Sequence, residues 1–228
     1  MNDNHTTITP PQRYAIVIGR TYGSGGRALG RLIAERLNIP FYDKELLAEA
    51  ARRGGVSAGY LERTDERTPR VITGFMSANI GFSSLPWYNA PAGGDAAYAA
   101  ISDAITAAID AGSCVIVGRT ADYVLRHSGA TVVSIFVHAP IDECVSRIMQ
   151  RGECDNAKAA RDLAEKANKL RAAYYNFYTD RKWGEAAEYD LTIDSSLLPL
   201  EQLADIVIDY TRRRLAAAGV NDIIDNSL

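Results

Sequence analysis

The chain has 228 residues, 47% of them hydrophobic and 23% charged, an ordinary globular composition with length enough for one substantial core and an elaborated insert. A net charge of −3 supplies no global positive field, so nucleic acid and membrane surfaces are not expected partners. Cys114, Cys144 and Cys154 are an odd number without CxxC spacing, which fits a reducing compartment and no metal site.

From the N-terminus, residues 1–13 are polar, carry Pro10 and Pro11, and are expected to be disordered. They lack the apolar stretch of a signal peptide, and no segment reaches the ~18 apolar residues of a membrane span, so a cytoplasmic location is expected. Five short apolar runs follow, at Tyr14 to Ile18, Ile39 to Tyr42, Cys114 to Val117, Val132 to Val137 and Asp190 to Ile193. They do not alternate strictly between apolar and polar, as befits strands covered on both faces. Longer segments of helical period separate them. Leu29, Leu32, Ile33 and Leu37 mark the first helix, which Asn38 stops, and further helices are expected at Lys44 to Arg53, Ala96 to Ala111, Pro140 to Arg151, Asn156 to Tyr178 and Leu200 to Ala217.

This alternation predicts an α/β fold with a five-stranded parallel sheet and helices on both faces. A single domain is expected over 14–218, with a frayed tail at 219–228. It carries an irregular insert at 74–94 and a lid-like region at 152–185. The insert mixes six glycines and prolines with Phe75, Phe82, Trp87 and Tyr88, which suits an ordered lid or a homodimer contact better than a solvated linker.

The chemically informative segment is Gly19-Arg20-Thr21-Tyr22-Gly23-Ser24-Gly25-Gly26-Arg27, where a strand feeds a helix N-terminus. Unpaired backbone N–H groups and the positive end of the helix dipole favour an anion there. Gly23, Ser24, Gly25, Gly26 and Arg27 are the expected phosphate cradle, with Arg20 and Arg27 supplying charge. Two phosphate-binding loops compete. A G-x-G-x-x-A dinucleotide fingerprint can be read at Gly23, Gly25 and Ala28, with Asp43 about 20 residues on as a ribose ligand. The four residues from Gly19 to Gly23 instead suit a P-loop wrapping one phosphate chain. A strict G-x-x-x-x-G-K-[ST] is absent: with Gly25 as the second glycine, Arg20 stands for the first glycine, Gly26 for the lysine and Arg27 for the magnesium-binding hydroxyl. Arginines must then neutralise the phosphates.

Four ordered strings give a more specific signal: Arg20 to Arg27 with Phe41-Tyr42-Asp43-Lys44-Glu45-Leu46; Val115 to Tyr123; Arg171-Ala172-Ala173-Tyr174-Tyr175; and Trp183-Gly184 through Tyr189-Asp190-Leu191. Together they resemble the cytidylate kinase-like family of bacteria, over roughly Tyr14 to Arg214. The resemblance implies a P-loop nucleoside-monophosphate-kinase fold and transfer of the γ-phosphoryl of ATP, with Mg2+, to CMP, dCMP or a similar phosphorylated acceptor.

Gly118-Arg119 resembles the Gly-Arg-Asp of cytidylate kinases, whose arginine holds the monophosphate. Thr120 replaces the acidic base-reading residue, a role left to Asp122. Asp43 and Lys44 stand where those kinases place Asp-Ser-Gly, and Lys169 and Arg171 fall in the lid whose arginines close over the phosphates. The resemblance thus implies Arg20, Arg27, Arg119 and Arg171 as catalytic, and Asp43, Lys44, Arg119, Asp122, Lys169 and Arg171 as acceptor ligands. Two rivals remain at this stage: a nucleotide-binding or interaction module that has lost catalysis with the loop lysine, and a dinucleotide-dependent oxidoreductase.

Overall fold

The computed structural model describes residues 13–43 and 95–220. The expected helix at Lys44 to Arg53 and the insert at 74–94 lie outside the described residues, as do 1–12 and 221–228.

Strand β1 runs Tyr14–Arg20, helix α1 Gly26–Leu37 and strand β2 Phe41–Tyr42. After 94 come α2 (Asp95–Ala111), β3 (Cys114–Val117), the short α3 (Ala121–Val124), β4 (Thr131–His138), α4 (Ile141–Gln150), α5 (Ala157–Thr179), β5 (Leu191–Asp194) and α6 (Leu200–Ala217). All strand pairs are parallel, in the order β2-β3-β1-β4-β5. β1 is central, and its side chains alternate between two cores. Tyr14, Ile16 and Ile18 meet Leu29 and Ile33 of α1 and Leu203 and Val207 of α6. Ala15 and Val17 meet Ile105 and Ile109 of α2 and Leu125 beyond α3. Burial on both faces explains why the strand runs read as continuous apolar segments. Helices α4 and α5 pack on each other through Val145, Ile148, Ala160 and Ala164.

Strand limits shift by up to two residues from expectation, and two of the shifts have a visible cause. β1 continues through Gly19 and Arg20, which pair with Phe136 and Val137 of β4, because that long neighbour supplies backbone partners beyond Ile18. The turn therefore starts at Thr21 rather than Gly19. β5 begins at Leu191, because the Asp190 carboxylate is used in capping Ser134, accepting from both its N–H and its hydroxyl. Asn38 ends α1 in the left-handed conformation (φ 50°), and its N–H donates to the Ala34 and Glu35 carbonyls.

The strand order removes the support for the dinucleotide fingerprint. A dinucleotide fold sets β2 beside β1, so that the acidic residue ending β2 meets the ribose of a cofactor lying on the β1 turn. Here β3 lies between them, and Asp43 is bound by Arg27.

Candidate active site

The C-terminal ends of parallel strands form the crevice where ligands of such sheets bind. In this chain those ends carry Arg20 (β1), Asp43 (after β2), Gly118 and Arg119 (after β3), His138 (β4) and Asp194 (β5).

The turn between β1 and α1 is held by its own backbone. The Thr21 N–H donates to the Val137 carbonyl at 3.0 Å, and the Thr21 carbonyl accepts from the Ser24 hydroxyl at 2.9 Å. Gly23 (φ 84°) and Gly25 (φ 82°) are left-handed, a conformation that turns successive N–H groups toward one concavity. Gly25 caps α1 without a side chain, so the first-turn N–H groups of the helix face the same space. Gly23 must be glycine for a second reason: a Cβ there would lie 2.8 Å from the Cβ of Cys144 on α4.

Gly26 explains the missing lysine. A Cβ at Gly26 would lie 2.6 Å from the Cβ of Arg20 and 3.2 Å from that of Val137. Arg20 and a lysine at position 26 exclude each other, and this chain has the arginine.

Arg20 does not flank the turn in solvent. Its guanidinium crosses to the end of β3, over the backbone of Gly118 (φ 78°), where any side chain would overlap it. Burial lowers the affinity of Arg20 for its proton well below the usual arginine value; the charges of Arg171, Arg119 and Arg27 push the same way and Asp43 opposes them. The charges of the other three arginines expected to be catalytic are therefore all felt at Arg20. Arg171 of α5 donates to the Arg20 carbonyl at 2.9 Å, lies 5.2 Å over the Tyr22 ring, and is pulled down to about 10 by burial. Arg119, also lowered by burial, lies 5.9 Å over the Tyr174 ring. Arg119 (φ 61°) and Thr120 (φ 56°) are both left-handed without being glycine, backbone strain of the kind that gathers at ligand sites. Arg27 donates to Asp43 from Nε at 2.8 Å, and the Asp43 carboxylate is buried while the arginine is half exposed.

The remaining expected ligands divide. Asp122 is 5% exposed, its carboxyl raised by burial, and it accepts from the Tyr175 hydroxyl at 2.7 Å, so it anchors α3 to α5. Lys169 is exposed and, two residues before Arg171, is rotated from it by about 200° around the helix. Lys44 lies outside the described residues. Of the aromatic cluster, Tyr175 is core and Tyr178 stacks on Tyr98 of α2 at 4.0 Å, while Phe177 is exposed.

Sequence reasoning missed the residues that brace the turn from outside. Asn168 of α5 accepts from the Tyr22 N–H at 2.7 Å, and the Tyr22 hydroxyl donates to Glu153. Arg147 of α4 donates to the Ser24 carbonyl at 3.0 Å. A signal for Arg147 existed: with Cys144 and Ile148 buried, position 147 places a cation on the apolar side of an amphipathic helix. A depression of about 490 Å³ lined by Arg31, Glu35, Asn38 and Phe41 is at the other end of α1 and belongs to none of this chemistry.

The donor set fits the phosphates of a nucleotide: a glycine cradle, a helix N-terminus and converging guanidinium groups. To Mg2+ it offers the Asp43 carboxylate rather than a hydroxyl after the turn, where Arg27 stands. Among the described residues, no group of three or more His, Cys, Asp or Glu is placed to hold a metal by itself, and no helix is long and apolar enough to cross a membrane.

Comparison with known proteins agrees with the geometry. The family model described as the cytidylate kinase-like family matches residues 15–197. The crystal structure of an uncharacterized protein from Eubacterium ventriosum superposes with a TM-score of 0.64 at 26% identity, covering 88% of this chain and 99% of that one. Weaker likenesses include a gluconokinase from Sinorhizobium meliloti (TM-score 0.49, 15% identity, 93% and 99% covered) and a shikimate kinase from Acinetobacter baumannii (0.47, 13%, 89% and 94%). No curated protein matches the sequence.

Proposed function

The chain belongs to the cytidylate kinase-like family, and from that premise we propose that it transfers the γ-phosphoryl group of ATP to a nucleoside monophosphate of the CMP or dCMP kind, or to a similarly phosphorylated acceptor. The observation that carries this reading is the placing of Arg171, Arg119 and Arg27 around a half-buried Arg20 at the mouth of the glycine turn. Like charges held together repel, and a polyanion is the ligand that turns the repulsion into attraction.

In phosphoryl transfer the protein positions the reactants and neutralises charge that spreads over the transferred group. The N–H groups of the turn and α1 hold the donor phosphates. Arg20 takes the place of the loop lysine, and its reach toward Gly118 puts its charge between donor turn and acceptor strand. Arg119 holds the acceptor phosphate, and Arg171 releases the Arg20 carbonyl to clamp the phosphoryl group in flight. Mg2+, when bound with ATP, would supply counter-charge to the phosphates, and the Asp43 carboxylate is the residue that would hold it. With Asp122 engaged by Tyr175, base recognition falls to other groups, and the acceptor preference is decided by assay.

Steady-state turnover with ATP, Mg2+ and CMP, dCMP or UMP tests the proposal. Turnover with at least one acceptor, lowered by about 100-fold or more in Arg171→Ala, is expected. Binding of ATP without turnover of any acceptor would instead establish the chain as a nucleotide-binding module.

A further inference from the structure

The Ser24–Gly25 peptide is gripped from its outer side. The Ser24 carbonyl accepts from the Ser195 hydroxyl at 2.6 Å and from Arg147 Nη1 at 3.0 Å. Arg147 is itself fixed: Nη1 donates to the Ser195 hydroxyl oxygen at 3.0 Å and Nη2 to the Ser195 carbonyl at 2.8 Å. Ser195 follows β5, is 1% exposed, and donates its N–H to the His138 carbonyl at 2.8 Å, so the grip is rooted in the ends of β4 and β5. Neither residue belongs to the converging arginines. A trans peptide is planar, with its C=O and the following N–H pointing in opposite directions. Holding the Ser24 carbonyl outward therefore aims the Gly25 N–H inward, into the anion concavity.

We propose that Arg147 and Ser195 are positioning residues that set the anion-binding face of the glycine turn from behind, without touching the ligand. The inference rests on the phosphate-binding reading of that turn. Freed from the grip, the Ser24–Gly25 peptide can rotate, because glycine on its C-terminal side tolerates many conformations. A rotated carbonyl would present its negative end to the phosphates. This chain has given up the loop lysine, so the orientation of each backbone N–H carries more of the binding.

The test is calorimetric titration of the full chain, well below its melting temperature, with two probes: pyrophosphate, which has no base or sugar, and ATP. The wild type is expected to bind both. Arg147→Ala is expected to weaken both by the same factor, about tenfold, as a carbonyl loses a charged donor. Ser195→Ala, a neutral change that also carries the test if Arg147→Ala fails to fold, should weaken both by about three- to fivefold. Arg147→Lys, keeping a cation and a donor, should recover part of the loss.

Unchanged pyrophosphate affinity in both alanine variants, even with lowered melting temperatures, would overturn the proposal by making the grip purely structural. So would weakened ATP binding with unchanged pyrophosphate binding, which would make Arg147 a base or sugar contact. A loss in Arg147→Ala with none in Ser195→Ala would also overturn it, showing direct charge attraction. A wild type that binds neither probe would instead sink the nucleotide reading itself.

Discussion

At the scale of single residues, Arg20 sets function against stability. Its proton affinity is lowered in the folded state, first by burial and then by Arg171, Arg119 and Arg27. A cation whose folded pKa is depressed destabilises the fold at every pH where it remains charged, and the penalty fades only as pH rises through that depressed value. Arg20→Met keeps much of the stem and removes the charge, so it should raise stability by about 1–3 kcal/mol, or ~2–4 °C in Tm for each kcal/mol in a chain of this size. The same change should weaken ATP binding tenfold or more, on the order of one lost charged hydrogen bond. A melting scan and a titration on one preparation check both; a fall in Tm would show that the guanidinium is held by bonds stronger than the repulsion.

Gly26 is the complement of Arg20. Gly26→Ala should cost about 1–3 kcal/mol, because its Cβ would meet the Arg20 and Val137 Cβ atoms. Gly26→Lys, which restores the usual loop lysine on paper, should be at least as damaging. Replacing Arg20 by glycine as well should recover part of that loss, and a double-mutant cycle by denaturant unfolding is expected to give a coupling of about 0.5–3 kcal/mol.

At the scale of elements, the β-turn-α unit is defined at both ends by left-handed residues. Asn38 sits at φ 50° and ties the end of α1 to Ala34 and Glu35. Asn38→Ala should cost ~1 kcal/mol and Asn38→Gly should be neutral or stabilising, since only a residue with a Cβ and no local hydrogen-bonding group suffers there; a Tm series decides. Contact between α3 and α5 runs through the buried Asp122, whose carboxyl is raised by burial above the ordinary value of 3.8. An acid with a raised folded pKa contributes stability that is fully present below its unfolded value and lost as pH rises through the folded one. Asp122→Asn keeps an acceptor for the Tyr175 hydroxyl and cannot ionise. Its Tm relative to wild type should climb as pH is raised from about 4 and then level off; a difference constant with pH would mean that Asp122 titrates normally.

The whole molecule shows what a sequence displays and what it hides. Strand runs, helix periods and the Asn38 stop follow from local rules, and those that fall on the described residues appear within a few residues of their expected places. The glycine turn was legible as the junction between β1 and α1, because glycine density between an apolar strand run and a helical period has few other causes. What was not legible lies across the sheet. That Arg20 packs on Gly118, 98 positions later, and that Ser195 grips Ser24 across 171 positions, depends on β3 and β4 flanking β1, an order no local pattern encodes. Asp122 was expected to face a base because its neighbours in sequence belong to a recognition motif, whereas the chain folds α5 over it.

A repulsive cluster assembled by the whole fold has a consequence on the scale of the whole fold. The molecule carries a net charge of only −3, yet concentrates four arginines at one end of the sheet. Any multivalent anion that enters should stabilise the native state by mass action, about 2.7 kcal/mol at 100 times its Kd, while binding the unfolded chain little. Pyrophosphate should therefore raise Tm by several degrees, roughly 2–4 °C for each kcal/mol, beyond the effect of sodium chloride at the same ionic strength. Screening acts in both salts and cancels in the comparison. A variant lacking both guanidinium groups, Arg20→Met with Arg171→Met, should start from a higher Tm and lose the pyrophosphate-specific increment while keeping the response to chloride. If wild type and variant respond alike, the arginines are scaffolding, and the anion site must be sought elsewhere on the sheet edge.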